Sequence, residues 1–176
     1  MKERVLVAVV FLTFLLSYSF AQVSWELDRL DGKLTRYFEK TMPEWNHERV
    51  EPIAGSGDNV LIEFWSFSHR KVKVSVLLHK SDADAQEVMR DHAKYSLNKR
   101  TLVGLGDEAY ASGYASSDVA FKRGRFTVYV STVADVDSDA DAQSLTQEQR
   151  TEREKSEMQR WSKHFAQHVV TAIDAP

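Results

Sequence analysis

Asp137, Asp139 and Asp141 alternate along an acidic, alanine-rich stretch, 135–143, and Glu148 follows close behind. Counted from Asp137, the aspartates take positions 1, 3 and 5 of a twelve-position calcium loop, and Glu148 takes position 12. Calcium is held by six to eight oxygens, so carboxylates at these positions, closed by a distant bidentate one, suit that ion. Gln143 would add its backbone carbonyl at position 7. Three features weigh against the site. Ala142 stands where the sharp turn wants glycine, Ser144 stands where such loops carry an aliphatic residue, and the preceding segment reads as a strand rather than a helix. The competing reading is a solvated loop whose charges favour the N-terminus of the next helix. A calcium site here would be weak, with a dissociation constant of about a millimolar. No other cofactor is indicated.

Six histidines offer further chemistry. His164 and His168 are four apart on an expected helix, the spacing that sets two imidazoles on one side for zinc. No glutamate lies between them to act as a base, and His168 borders the apolar face of Trp161, Phe165 and Ala172. The spacing therefore favours core-edge histidines over a metal pair. His92 falls on the inner face of its helix and reads as a core histidine. Serine, histidine and aspartate all abound, but there is no G-x-S-x-G elbow, phosphate loop or dinucleotide fingerprint. Cysteine is absent, which excludes disulfides, thiolate ligands and a cysteine nucleophile. Two turns are basic, at His69-Arg70-Lys71 and at Lys122-Arg123 with Arg125. Trp65 and Phe67 are expected on the strand face shared by Lys71 and Lys73. Such a surface suits an anionic polymer, a glycan or a protein partner, unless a helix covers it.

The elements that must position these groups begin after a leader. Lys2 and Arg4 precede an apolar run from Val5 to Leu16, and Ser19 and Ala21 stand at −3 and −1 of a cleavage site. The run is too short to span a bilayer. The expectation is a signal peptide over 1–21 and one domain over 22–176, exported to the periplasm or the medium. Residue 22 is glutamine, so a lipoprotein cysteine is missing. The net charge is −3 over 176 residues. Losing Lys2, Glu3 and Arg4 makes the chain one unit more acidic. That balance argues against a general nucleic-acid binder, and no later apolar run is long enough to cross a membrane.

In the expected domain, Leu27, Leu30, Leu34, Tyr37 and Phe38 recur at helical spacing between Trp25 and Met42, and Pro43 ends the helix. Val60–Phe67 and Val72–Leu78 alternate around Ser68-His69-Arg70 and read as a hairpin. Ser81 caps a helix that runs to about Leu97. A short strand spans Glu108–Ala111. A second hairpin turns at Arg123-Gly124, with Phe121 opposite Phe126. A last helix runs from about Leu145 to Ile173, its first half polar and read as a solvated extension. The fold class is α+β, an antiparallel sheet of two hairpins and a short strand covered by about three helices.

The segment Gly104-Leu105-Gly106-Asp107-Glu108-Ala109-Tyr110, with the hairpin Val119–Ser131 behind it, resembles small exported bacterial domains of unknown function that carry a GLGDEAY-like motif. The resemblance covers roughly 60–173 and implies a PsbP-like α/β/α sandwich. It brings no catalytic residues. Asp107 and Glu108 read either as a ligand contact or as part of a structural turn. The function expected is non-catalytic binding of a cell-envelope protein or glycan. The alternative is an exported hydrolase whose serine, histidine and aspartate meet only in the fold.

Overall fold

The computed structural model describes residues 25–50 and 59–176. The expected leader and cleavage site lie outside the described residues. Helix α1 occupies 25–41. Its stripe Leu27, Leu30, Leu34 and Phe38 is buried, as the periodicity requires. The strands β1 (Asn46–Val50), β2 (Val60–Phe67) and β3 (Arg70–Leu78) follow, then helix α2 (Asp82–Tyr95). Next come β4 (Arg100–Thr101), β5 (Glu108–Ser112), β6 (Asp118–Arg123) and β7 (Phe126–Ala134). Helix α3 (Gln147–Asp174) closes the chain. Among the described residues no helix is long and apolar enough to cross a membrane.

The seven strands form one antiparallel sheet in the order β1-β2-β3-β7-β6-β5-β4. This is the α+β arrangement expected, with two more strands. β1 is mostly polar and lies on an edge, so it carries little alternation. β4 has only two residues. One face holds Leu61, Trp65, Val72, Val74, Val76, Val119, Phe121, Val128 and Val130, buried beneath α1 and α3. The other face meets α2 through Met89, Tyr110 and Ala120. The stripe Met158, Ser162, Phe165, Ala166 and Val169 turns α3 toward the sheet.

Two expectations are corrected by the register. Trp65 pairs with Val72, and Phe64 pairs with Lys73. Directly paired residues share a face, so Trp65 belongs to the core. The residue beside the lysines is Phe64, with the Lys71 ammonium 4.1 Å from its ring. In the second hairpin, Arg123 pairs with Phe126 and Phe121 pairs with Val128. The turn is therefore Gly124-Arg125. Gly124 has φ +52°, the left-handed backbone that the first position of a two-residue Gly-X turn demands. The polar start of α3 is no free extension either. Arg150 and Arg153 bind the 135–143 loop, and Glu157 binds Arg70 of β3.

The GLGDEAY segment is built into this frame. A side chain at Gly106 would strike the Lys122 carbonyl, only 2.3 Å from where its Cβ would sit. Asp107 accepts from the Gly124 backbone N–H at 2.8 Å and pairs with Arg123 and Lys122. Burial alone would raise the Asp107 pKa, but these donors hold it below the usual carboxylate range. The residue serves as a brace on the β6–β7 turn.

Candidate functional site

Behind the C-terminal end of α2, the sheet leaves a groove of about 440 Å³ over β5, β6 and β7. His92, Tyr95 and Ser96 line it from the helix, and Asp118, Tyr129 and Ser131 from the strands. The Ser131 hydroxyl donates to Asp118 Oδ1 at 2.6 Å. Gly113, with φ +75°, lets the Asp118 carboxylate lie where a Cβ would otherwise sit. His92 Nδ1 bonds the Tyr110 hydroxyl, and the His92 ring lies 4.5 Å from that of Tyr129, tilted by 50°. Burial lowers the His92 pKa, against the opposing pull of Asp118. Burial, then Tyr110, push Tyr129 up to about 12. Asp118 is the one carboxylate among the lining residues, and none of them is a lysine or an arginine. Tyr95 lies at the rim, 85% exposed.

The groove brings together Ser131, Asp118 and His92, three residue types that a hydrolase would use. The serine donates to the aspartate and the histidine pairs with a tyrosine, so their bonds do not run serine to histidine to aspartate as a triad requires.

A second polar cluster lies across the sheet, between α1 and the β1–β2 edge. Asp31, His47 and Glu63 each place one ligand atom there, all within 4.8 Å of one another. Glu63 has no exposed surface. It sits on the core face of β2 because Leu61 and Trp65, two residues to either side, do too. Its Oε2 accepts from the Trp65 indole N–H at 3.2 Å, while its Oε1 accepts no hydrogen bond among the described residues. Burial first, then a hydrogen bond from the protonated acid to Asp31 and the charge of Asp31, push the Glu63 pKa up to about 8. The Trp65 N–H and Arg49 act the other way. His47 stacks on Trp65 with ring centroids 4.1 Å apart, and its Nε2 is also buried without a hydrogen bond. Burial lowers the His47 pKa, against Asp31 and Glu39. The 3.9 Å approach of His47 to Glu63 is too long for a hydrogen bond. Both groups are mainly neutral at pH 7, so it is no ion pair. Arg49 binds Asp31 Oδ2 at 2.6 Å and Asp28 at 2.9 Å.

Of the acidic residues read from the sequence as a calcium set, the three aspartates pair with arginines. Asp137 pairs with Arg150, Asp139 with Arg70 and Arg153, and Asp141 with Arg153. Glu148 lies in the first turn of α3. The acidic groups that do converge there are Asp135, Asp137 and Glu154. Of the zinc-spaced histidines, His168 Nε2 bonds the Tyr37 hydroxyl at 2.9 Å, and its ring lies 4.5 Å from that of His164. Burial lowers both their pKa values, as befits core-edge histidines.

Sequence reasoning missed Glu63. A lone glutamate in an apolar strand reads as the solvent side, and the available signal was its i±2 neighbours Leu61 and Trp65. Set against protein-family models, curated proteins and solved structures, the chain matches none.

Proposed function

We propose that this is an exported, non-catalytic binding domain whose ligand is a neutral glycan of the cell envelope. The groove under α2 carries the reading. Its volume lies within the usual range for small-ligand sites, and it combines the exposed ring of Tyr95 and the half-buried ring of Tyr129 with several hydroxyls and a single carboxylate. Rings of this kind offer an apolar platform with a polar rim. The serines and Asp118 can exchange hydrogen bonds with sugar hydroxyls, and the lack of positive charge disfavours an anionic polymer. Export rests on the leader's sequence alone.

Calorimetric titration with a neutral oligosaccharide, tri-N-acetylchitotriose, tests the proposal. Tyr95→Ala should weaken binding at least tenfold with the melting temperature unchanged, because Tyr95 is exposed. Asp118→Asn should weaken it as well. No heat with the wild type, or equal heats with both variants, would remove the groove as a glycan site.

A second reading, an exported hydrolase, draws on the presence of His92, Asp118 and Ser131 in the same groove. It requires His92 to leave Tyr110 and reach Ser131. Ester turnover by the wild type that disappears in Ser131→Ala would favour it over binding alone.

A further inference from the structure

We propose that Asp31, His47 and Glu63 form a binding site for a divalent transition-metal cation of the zinc class. The site is independent of the groove and lies on the opposite face of the sheet.

Among the described residues, two buried atoms there, Glu63 Oε1 and His47 Nε2, accept no hydrogen bond. Such atoms are rare, because leaving a buried polar group unpaired costs on the order of 1–3 kcal/mol. Both lie in one three-residue cluster whose ligand atoms are within 4.8 Å of one another. Zinc bonds to imidazole nitrogen and carboxylate oxygen are about 2.0–2.2 Å long. Side-chain rotations of roughly an ångström would bring the three atoms onto one ion. One imidazole with two carboxylates suits zinc and its neighbours better than calcium or magnesium, which prefer all-oxygen shells.

The surroundings are those of ligands held in place. The Trp65 indole fixes one Glu63 oxygen and leaves the other open. Its ring also stacks on His47 and sets the imidazole plane. Arg49 fixes one Asp31 oxygen, and Thr35 reaches the other at 3.4 Å. Outer partners of this kind orient metal ligands and tune their affinity. Charge points the same way. With Glu63 ionised, the cluster holds the Asp31 and Glu63 carboxylates beside Arg49, and Glu39 adds to the negative field at His47. A dication would balance the group. Asp31 and His47 are each about one-fifth exposed, so the cluster lies close beneath the surface.

The test is titration of the tag-free protein with zinc by calorimetry and with cobalt by visible absorption. One equivalent should bind, and cobalt should give the intense bands of a low-coordinate site. His47→Ala and Glu63→Gln should each weaken zinc binding by more than about 100-fold, beyond what loss of an outer partner costs. Glu63→Gln keeps the shape of the neutral acid, and circular dichroism checks that it folds. His164→Ala should bind as the wild type does. No binding by the wild type would overturn the proposal. So would full binding by Glu63→Gln, or loss confined to His164→Ala.

Discussion

Lys122 and Glu63 are both ionisable residues buried in the same sheet, and the protein treats them in opposite ways. Lys122, on the α2 side, is only 3% exposed, yet its ammonium reaches Asp82 at 2.7 Å and Asp107 at 3.2 Å. Burial alone would lower its pKa, but the two carboxylates outweigh that and raise it. Glu63, on the α1–α3 side, has among the described residues no bonded cation and one oxygen that accepts no hydrogen bond, and its pKa is pushed up to about 8. A buried charge that serves the fold is paired. One that is left open stores a demand that something else can meet. The GLGDEAY segment belongs to the first kind, since Asp107 is part of the shell around Lys122.

Phe121, beside Lys122 on β6 but facing the other way, sets the scale. It is fully buried and pairs with Val128. Phe121→Ala should cost about 3–5 kcal/mol in urea denaturation. The half-buried Phe126 should cost less on the same change. Equal losses would mean that the turn is Arg123-Gly124 after all.

Breaking the satisfied charge comes next. Lys122→Met keeps the length of the side chain and removes the ammonium. Asp82 and Asp107 still reach water, so the loss should be about 1–2 kcal/mol, below that for a fully enclosed pair. Glu63→Gln at pH 6 should change stability by less than about 0.5 kcal/mol, the range of a tolerated substitution, because the glutamate is already neutral there. A large loss in Glu63→Gln, or none in Lys122→Met, would erase the contrast.

The pH dependence is the most specific test. The folded pKa of Glu63 lies above its unfolded value, so the folded chain keeps a proton that the unfolded chain gives up. Stability must then fall as pH rises from about 4.5 toward 8, and level off beyond. The histidines with lowered pKa values, His47, His79, His92, His164 and His168, act in the reverse direction. Their contribution is complete once the pH passes their ordinary value of 6.5. Between pH 7 and 9, with chelator present, the wild type should lose about 1.4 kcal/mol, and Glu63→Gln should lose none of that amount.

Much of this frame was legible in the residues. The alternation in β2, β3 and β7 and the stripe in α1 each reported the element that formed. Ser81 caps α2 by accepting from the Asp84 backbone N–H, as its position implied. What stayed hidden was relational. Val60, Ile62 and Phe64 are as apolar as Leu61 and Trp65, so alternation alone could not say which side of β2 faces the helices. Only the hairpin register, Phe67 opposite Arg70, decides that. Asp137, Asp139 and Asp141 looked like ligands because their arginine partners lie in β3 and α3. The groove draws on α2, β5, β6 and β7, and the Asp31–His47–Glu63 cluster on α1, β1 and β2. Neither has a local motif to announce it.

The contrast rests on the ionisation of Glu63, and that can be read directly. Carbon-detected NMR of the side-chain carboxyl, followed from pH 3 to pH 10 in chelator, should show Glu63 titrating near pH 8. A midpoint near 4.5, the ordinary glutamate value, would mean that the carboxylate is charged and compensated in its pocket, and the distinction from Lys122 would fail.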